Sequence, residues 1–389
     1  VNTTAEVVAF LRDRAWPDDP PALVETHLSW VFLTGERAYK LKKPIRLDFV
    51  DARSVEARRR DCRAEVTLNG RLAPGVYLGT RAVRRRVDGG LELAPPQHHE
   101  PDEPSDDGGV VDWLVEMRRL PDDGMLDRRL AHGLPSAVEL DGLADHLATF
   151  YLGAARHPRT PAAHRAVLTG GLTRDLAVLR RHAADLDDHP GGTDGTDRAG
   201  RPGRTDRTDR TDRTGREVPA WLDRLDHLEG DLLGLLAGDD IGARGVAVVD
   251  GHGDLRPEHV LLGPPPLVID CITYDPALRR LDPYHDLALL VVEADLLGVP
   301  AFGPALLRRF ADRTHDEPTG PVLATACALR AVTRARLSVA HLDDRPDGRR
   351  DRPGHWAGRA RRYLALARRQ LRRADWPGTT GPATQDSAR

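Results

Sequence analysis

From Ala22 to Ile45 the chain reads ALVETHLSWVFLTGERAYKLKKPI, with β-branched and aromatic residues clustered on either side of TGER. That pattern predicts short strands joined by tight turns. The residues before it, VNTTAEVVAFLRDRAW, lack a basic start, an apolar core and a small-residue cleavage site, and read as a short amphipathic helix. SVEARRRDCRAEVTLNGRL, 54–72, spaces Val55, Cys62, Val66 and Leu68 as contacts of a charged helix. VYLGTRAVRRRV and GLELAP alternate like strands, QHHEPDEPSDDGG breaks off into an acidic loop, and VVDWLVEMRRLP resumes as a strand. Residues 1–119 thus predict an antiparallel sheet plus a helix.

From DGMLDRRL onward the pattern turns helical, with DGLADHLATFYLGAARH amphipathic, so 120–389 is expected to be a second, mainly helical part. Residues 189–216 repeat Arg-Thr-Asp without apolar side chains to seed a core, and read as a disordered insert. Helical patterning returns at PAWLDRLDHLEGDLLGLLAG, continues after Pro283, and ends in an arginine-rich helix over 355–373 before a frayed last dozen residues.

Length and composition set limits. A chain of 389 residues with 40% apolar content can bury one large core or two. Formal net charge is −3 with both signs interspersed, which announces no nucleic-acid partner. Cys62, Cys271 and Cys327 are far apart and odd in number, fitting a reducing compartment and neither a disulfide framework nor a zinc site. No apolar run approaches the roughly 20 residues needed to span a bilayer. A cytoplasmic protein without a membrane partner is expected, and nothing in the sequence sets its oligomeric state. His98-His99-Glu100, in the acidic loop, reads as solvated chain because no further ligands stand at useful spacing.

Charge changes the picture at one place. Of 57 lysine and arginine residues, three are lysine, and all lie in AYKLKKP: Lys40, Lys42 and Lys43. Lysine is a compact point charge that the planar arginine fork does not replace at tight sites, so one of the three is expected to touch a phosphate, the alternative being chance retention in a basic strand. In a strand Lys40 and Lys42 share one face, and Leu41 and Lys43 the other.

The strongest chemical signal is GHGDLRPEHVLL, 251–262, followed by PPPLVIDCITYD. His252-Gly253-Asp254 sits in a turn, and VLL and LVID are apolar runs that pair as a hairpin ending at Asp270. Phosphoryl transfer needs two such carboxylates, one beside the attacking hydroxyl and one on the metal that bridges the nucleotide phosphates. Magnesium takes hard oxygen ligands, which suits Asp270. Each aspartate taken alone is also common in turns.

HGDLRPEH resembles the catalytic loop of the protein-kinase-like fold, H-x-D-x-x-x-x-N, with a glycine similar to that of aminoglycoside phosphotransferases. Over SWVFLTGERAYKLKKPI, AEVTLNGRLAP, VEMRRLP, HGDLRPEHVLL, IDCITYDPALRRLD and HDLALLV the chain is similar to the bacterial aminoglycoside phosphotransferase-like family, a branch of which carries an extra P-loop kinase domain. The resemblance implies an α+β, two-lobed protein-kinase-like fold. It also implies an ATP- and Mg2+-dependent phosphotransferase that moves the γ-phosphoryl group to a hydroxyl of a small molecule. By position, Asp254 is implied to be the catalytic aspartate, Arg256 to stand near the transferred phosphate, and Asp270 to hold the metal. Ala38 and Lys40 match the nucleotide-lining strand, Glu65 the ion-pair partner of that lysine, and Asp286 a buried aspartate holding the catalytic loop. The base is implied to stack beneath Ala38 and the segment Glu116 to Arg119, which includes Met117; core packing is the default for that methionine. Lys42 rivals Lys40, which only the Ala-x-Lys match favours, and Glu65 equally suits a surface pairing with Arg59, Arg60 or Arg63.

Two departures stand out. His259 replaces the family asparagine, and its imidazole suits zinc or manganese better than magnesium; it is a candidate metal ligand, and otherwise either one metal suffices or His259 binds phosphate or a water instead. A G-x-G-x-x-G loop is absent, leaving Ser29 and neighbouring backbone N–H groups of the HLSW turn to cover the phosphates. With lysine confined to AYKLKKP, G-x-x-x-x-G-K-[ST] does not occur, and the extra P-loop domain is not expected. The alternative function is a nucleotide-binding pseudokinase or regulatory module in which His259 marks a lost second-metal site. Asp122, Asp123 and Asp127 hint at an acidic wall for the acceptor, whose identity the sequence leaves open.

Overall fold

The computed structural model describes residues 3–47, 50–96, 109–187, 219–342, 354–373 and 376. The Arg-Thr-Asp insert, His98-His99-Glu100 and the C-terminal dozen lie outside the described residues. The chain divides into two compact units, Val1–Ala155 with Val249–Leu281, and Arg156–Val248 with Asp282–Arg389. Residues 120–155 and the expected hairpin therefore belong with the sheet.

In the first unit α1 (Thr3–Asp13) precedes β1 (Ala22–Glu25), β2 (Ser29–Leu33), β3 (Arg37–Lys42) and the short pair β4 (Arg46–Leu47) and β5 (Val50–Asp51). Then come α2 (Val55–Asn69), β6 (Tyr77–Arg85), β7 (Leu91–Leu93) and β8 (Val110–Arg118). Six strands form an antiparallel sheet in the order β1-β2-β3-β8-β6-β7. Alternation along the strands assigns side chains to its two faces. Phe32, Tyr39, Leu41, Val83 and Leu114 pack with Val7, Phe10 and Leu11 of α1. Ala82, Trp113 and Val115 pack with Cys62 of α2 on the other face.

Helix α2 starts where the sequence places it, because the Ser54 side chain caps it by accepting from the Ala57 N–H at 3.1 Å. The buried Arg58 guanidinium donates to both Asp112 oxygens of β8, at 2.8 and 2.9 Å. Removing one partner of such a buried pair costs about 3–5 kcal/mol, because the other charge stays buried. The pair therefore fixes how α2 lies on the sheet.

After α3 (Leu126–Leu130) and α4 (Ala137–Gly153), the first unit is completed by the two-residue strands β9 (Val249–Asp250), β10 (Val260–Leu261), β11 (Leu267–Val268) and β12 (Arg280–Leu281). β9 pairs with β12, and β10 with β11, the latter being the expected hairpin before Asp270. The second unit consists of helices over Pro161–Arg181, Ala183–Asp187, Ala220–Leu236, Asp239–Ala243, Pro283–Leu296, Phe302–Thr314, Gly320–Ala340 and His355–Leu371. Its core runs along Pro283–Leu296, where all positions but His285 and Leu296 are buried. Gly303 lets a neighbouring helix approach, since a Cβ there would stand 2.5 Å from Val291 Cγ1. The α+β class, with an antiparallel sheet, a packed helix, a hairpin before Asp270 and a helical remainder, is the set of elements expected. No described helix is long and apolar enough to cross a membrane.

Candidate active site

Lys40 and Lys42 project from β3 toward α2, as the two-residue strand period requires. Lys40 Nζ donates to Glu65 Oε1 at 2.9 Å and to Asp270 Oδ1 at 2.5 Å. Lys42 Nζ holds the other Glu65 oxygen in a short contact and lies 3.1 Å from Asp61 Oδ2. Burial disfavours both ammonium groups, but the carboxylates outweigh it and keep each lysine above its ordinary pKa: Asp270 and Glu65 for Lys40, Glu65 above all for Lys42. Glu65 is only 1% exposed and holds both lysines, so it is a buried partner rather than a surface one, while Arg59 and Arg60 reach Glu56. Lys43 turns away to Glu25 at 2.7 Å and lies over the Trp30 ring.

The Asp254 peptide is clamped between two imidazoles. Its N–H donates to His252 Nδ1 at 3.2 Å, and the His252 Nε2–H donates to the Ile269 carbonyl at 2.9 Å. On the other side, the His259 Nδ1–H donates to the Asp254 carbonyl at 2.8 Å. Carbonyl oxygens only accept, so these contacts place a hydrogen on His252 Nε2 and on His259 Nδ1. His259 Nε2 then faces Asp270 Oδ2 at 3.6 Å, and His259 Nδ1 lies 3.9 Å from Asp254 Oδ2. Arg256 Nη1 stands 3.8 Å from Asp254 Oδ2, while its Nη2 meets Glu258. Gly253 has φ +88°, and a Cβ there would stand 3.0 Å from Ile272 Cδ1 and the Leu278 carbonyl, so the turn requires glycine.

Asp270 adopts φ +64°, a left-handed conformation that aspartate tolerates better than most residues. Its N–H donates to the Tyr77 hydroxyl at 3.1 Å, and the next N–H, that of Cys271, donates to Asn69 Oδ1 at 2.8 Å. Burial pushes the Asp270 carboxyl up, but the Lys40 ammonium, with His259, holds it well below the usual carboxylate range. The remaining expected residues are placed as follows. Ala38 is buried and lies across from Met117 in the β3–β8 register. Ser29 is buried at the start of β2, its N–H donating to Thr26 Oγ1 at 3.0 Å. Asp286 belongs to the second unit, where it is buried with Arg330 Nη2 at 3.3 Å.

Lys40, Glu65, Asp270, His259 and Asp254 thus form one connected set. Sequence reasoning missed Asp61, Asn69, Tyr77 and the clamp role of His252. Asp61 and Glu65 left a signal: a helical i, i+4 rise of about 6.0 Å nearly matches the roughly 6.6–6.8 Å between alternate strand residues. Among the described residues no group of three or more His, Cys, Asp or Glu side chains is placed to hold a metal. Asp270 and His259 nonetheless pair an oxygen and a nitrogen donor at one point, which fits a cation whose shell is completed by phosphate oxygens and water.

No family model matches the chain. An uncharacterized protein of Mycobacterium bovis and two of Mycobacterium tuberculosis are each 30% identical over 352 residues, covering 90% of this chain. The chain spans 59% of the length of these relatives. Among solved structures it is similar to a choline/ethanolamine kinase family protein from Mesorhizobium loti, with 16% identity, 95% of this chain and 98% of that one covered, and a TM-score of 0.49. It is similar to a choline kinase from Cryptosporidium parvum at 10% identity, with 97% and 98% covered and a TM-score of 0.48. For an aminoglycoside phosphotransferase from Alicyclobacillus acidocaldarius the figures are 13% identity, 95% and 96% covered, and a TM-score of 0.42. Likeness at that level says nothing about what this chain acts on.

Proposed function

We propose that this chain is an ATP-dependent phosphotransferase that moves the γ-phosphoryl group to a hydroxyl of a small molecule. The observation that carries the reading is the Lys40 ammonium, held between Glu65 of α2 and Asp270 after the hairpin. A strand lysine oriented by a helix glutamate and facing a metal-side aspartate is an arrangement that neutralises nucleotide phosphate charge. Lys42, engaged with Glu65 and Asp61, supports the orientation of Glu65, and that engagement favours Lys40 over Lys42 as the phosphate lysine.

In this reading Asp254 accepts or orients the acceptor hydroxyl proton, and Arg256 stabilises charge on the phosphoryl group in flight. Asp270 and His259 hold a divalent cation, Mg2+ by the resemblance, which when bound neutralises phosphate charge. Ala38 and Met117 line the base, with Ser29 at the phosphate-covering turn. Membership of the phosphotransferase-like branch that includes P-loop fusions belongs to the same proposal, as do a cytoplasmic location and the absence of nucleic-acid and membrane partners. The test is ADP formation from ATP and a divalent cation across a panel of hydroxyl metabolites. A product carrying new phosphate supports the reading; nucleotide binding with no turnover on any acceptor favours the pseudokinase alternative.

A further inference from the structure

The group that faces Asp270 is a nitrogen, and the loop it holds places the hydrogen of the other ring nitrogen. The Asp254 carbonyl accepts the His259 Nδ1–H at 2.8 Å, which leaves Nε2 as the ring nitrogen nearest Asp270 Oδ2, at 3.6 Å. The ring has little freedom to turn. The His259 N–H donates to the Arg256 carbonyl at 2.9 Å, the Ile269 N–H donates back to the His259 carbonyl at 2.9 Å, and the side chain is 11% exposed. An asparagine at this position would do the same two jobs with one amide, its N–H on the carbonyl and its oxygen on a cation. Histidine keeps the first job and exchanges the second from a hard oxygen for a borderline nitrogen.

That exchange bears on which ion fits. Magnesium demands oxygen donors in near-octahedral array and gives up water reluctantly. First-row transition ions accept imidazole readily, with affinity rising from manganese onward. We propose that this site selects a divalent first-row transition ion over magnesium, bound jointly by the Asp270 carboxylate and His259 Nε2 with the nucleotide phosphates. The proposal rests on the reading of the site as a metal–nucleotide site and refines its cation. A histidine protonated on both nitrogens and paired with Asp270 as an ion pair is the competing arrangement, and it would exclude a metal–nitrogen bond.

The test uses the full chain with Mn2+ or Mg2+ complexes of a non-hydrolysable ATP analogue, each saturated with metal. Equilibrium titration gives affinities, and pulsed electron spin resonance of the Mn2+ complex reads directly coordinated imidazole nitrogen. The wild type is expected to bind the Mn2+ complex about ten-fold more tightly than the Mg2+ complex, with a nitrogen coupling. His259→Asn, which retains a donor for the Asp254 carbonyl, is expected to bring the two affinities within about two-fold and to abolish the coupling. Equal affinities without nitrogen coupling in the wild type overturn the inference and leave the phosphotransferase reading standing. Binding of neither complex overturns both. Should the variant fail to fold, the wild-type nitrogen signal decides alone.

Discussion

The His259 Nδ1–H donates to the carbonyl oxygen of Asp254 across 2.8 Å, so the residue facing Asp270 also shapes the loop that presents Asp254. His252 closes the same peptide from the other side and is fully buried. Replacing His252 with alanine leaves the Asp254 N–H and the Ile269 carbonyl without these partners. The expected loss is about 1–3 kcal/mol of stability by denaturant titration, with a fall in kcat and an unchanged nucleotide affinity.

The two lysines on one strand face should separate by phenotype. Lys40→Met is expected to lower kcat/KM about a hundred-fold, because it removes the ammonium beside Asp270 that the proposed function places on phosphate. Lys42→Met leaves Glu65 one lysine and strips Asp61 of its lysine, so its main effect is on stability, about 3 kcal/mol by denaturant titration. Equal catalytic loss in both variants would contradict the division of labour.

Tyr77 and Asn69 fix the Asp270 segment from two directions. Tyr77→Phe and Asn69→Ala each remove an acceptor from a backbone N–H beside the Asp270 carboxylate, the metal ligand of the proposed function. Each is expected to weaken metal–nucleotide binding about ten-fold, measured by calorimetry. Unchanged affinity in both variants would remove them from the site.

How much of this was legible follows from distance along the chain. Strand alternation puts Lys40 and Lys42 on one face, and helical spacing puts Asp61 and Glu65 opposite, so that pairing is written locally. The hairpin before Asp270 is likewise marked by two apolar runs around a proline-rich turn. Tyr77 and Asn69 reach Asp270 and Cys271 across 193 and 202 residues of sequence, and no local period announces such contacts. Nor does the sequence mark residues 120–155 as part of the sheet-bearing unit, because helical periodicity says which face is buried and not against what.

In the second unit, His164 is 3% exposed and its Nδ1 has no hydrogen-bond partner among the described residues. Burial holds its pKa below the ordinary value, against the opposing pull of Asp282. The unfolded chain therefore binds more protons than the folded one once the pH drops below about 6.5. Stability from this group is present above that value and is lost as pH falls toward the depressed folded pKa. His164→Gln is expected to flatten the acid side of a stability–pH profile by up to about 1.4 kcal/mol per pH unit, the slope of one proton.

The most direct measurement compares phosphate transfer from ATP to the best hydroxyl acceptor by the wild type and by Asp254→Asn. The substitution keeps the size and backbone contacts of Asp254 while removing the carboxylate. A rate reduced about a thousand-fold, with nucleotide affinity retained, is the expected result. An Asp254→Asn protein that transfers phosphate as fast as the wild type would contradict the assignment of the catalytic loop.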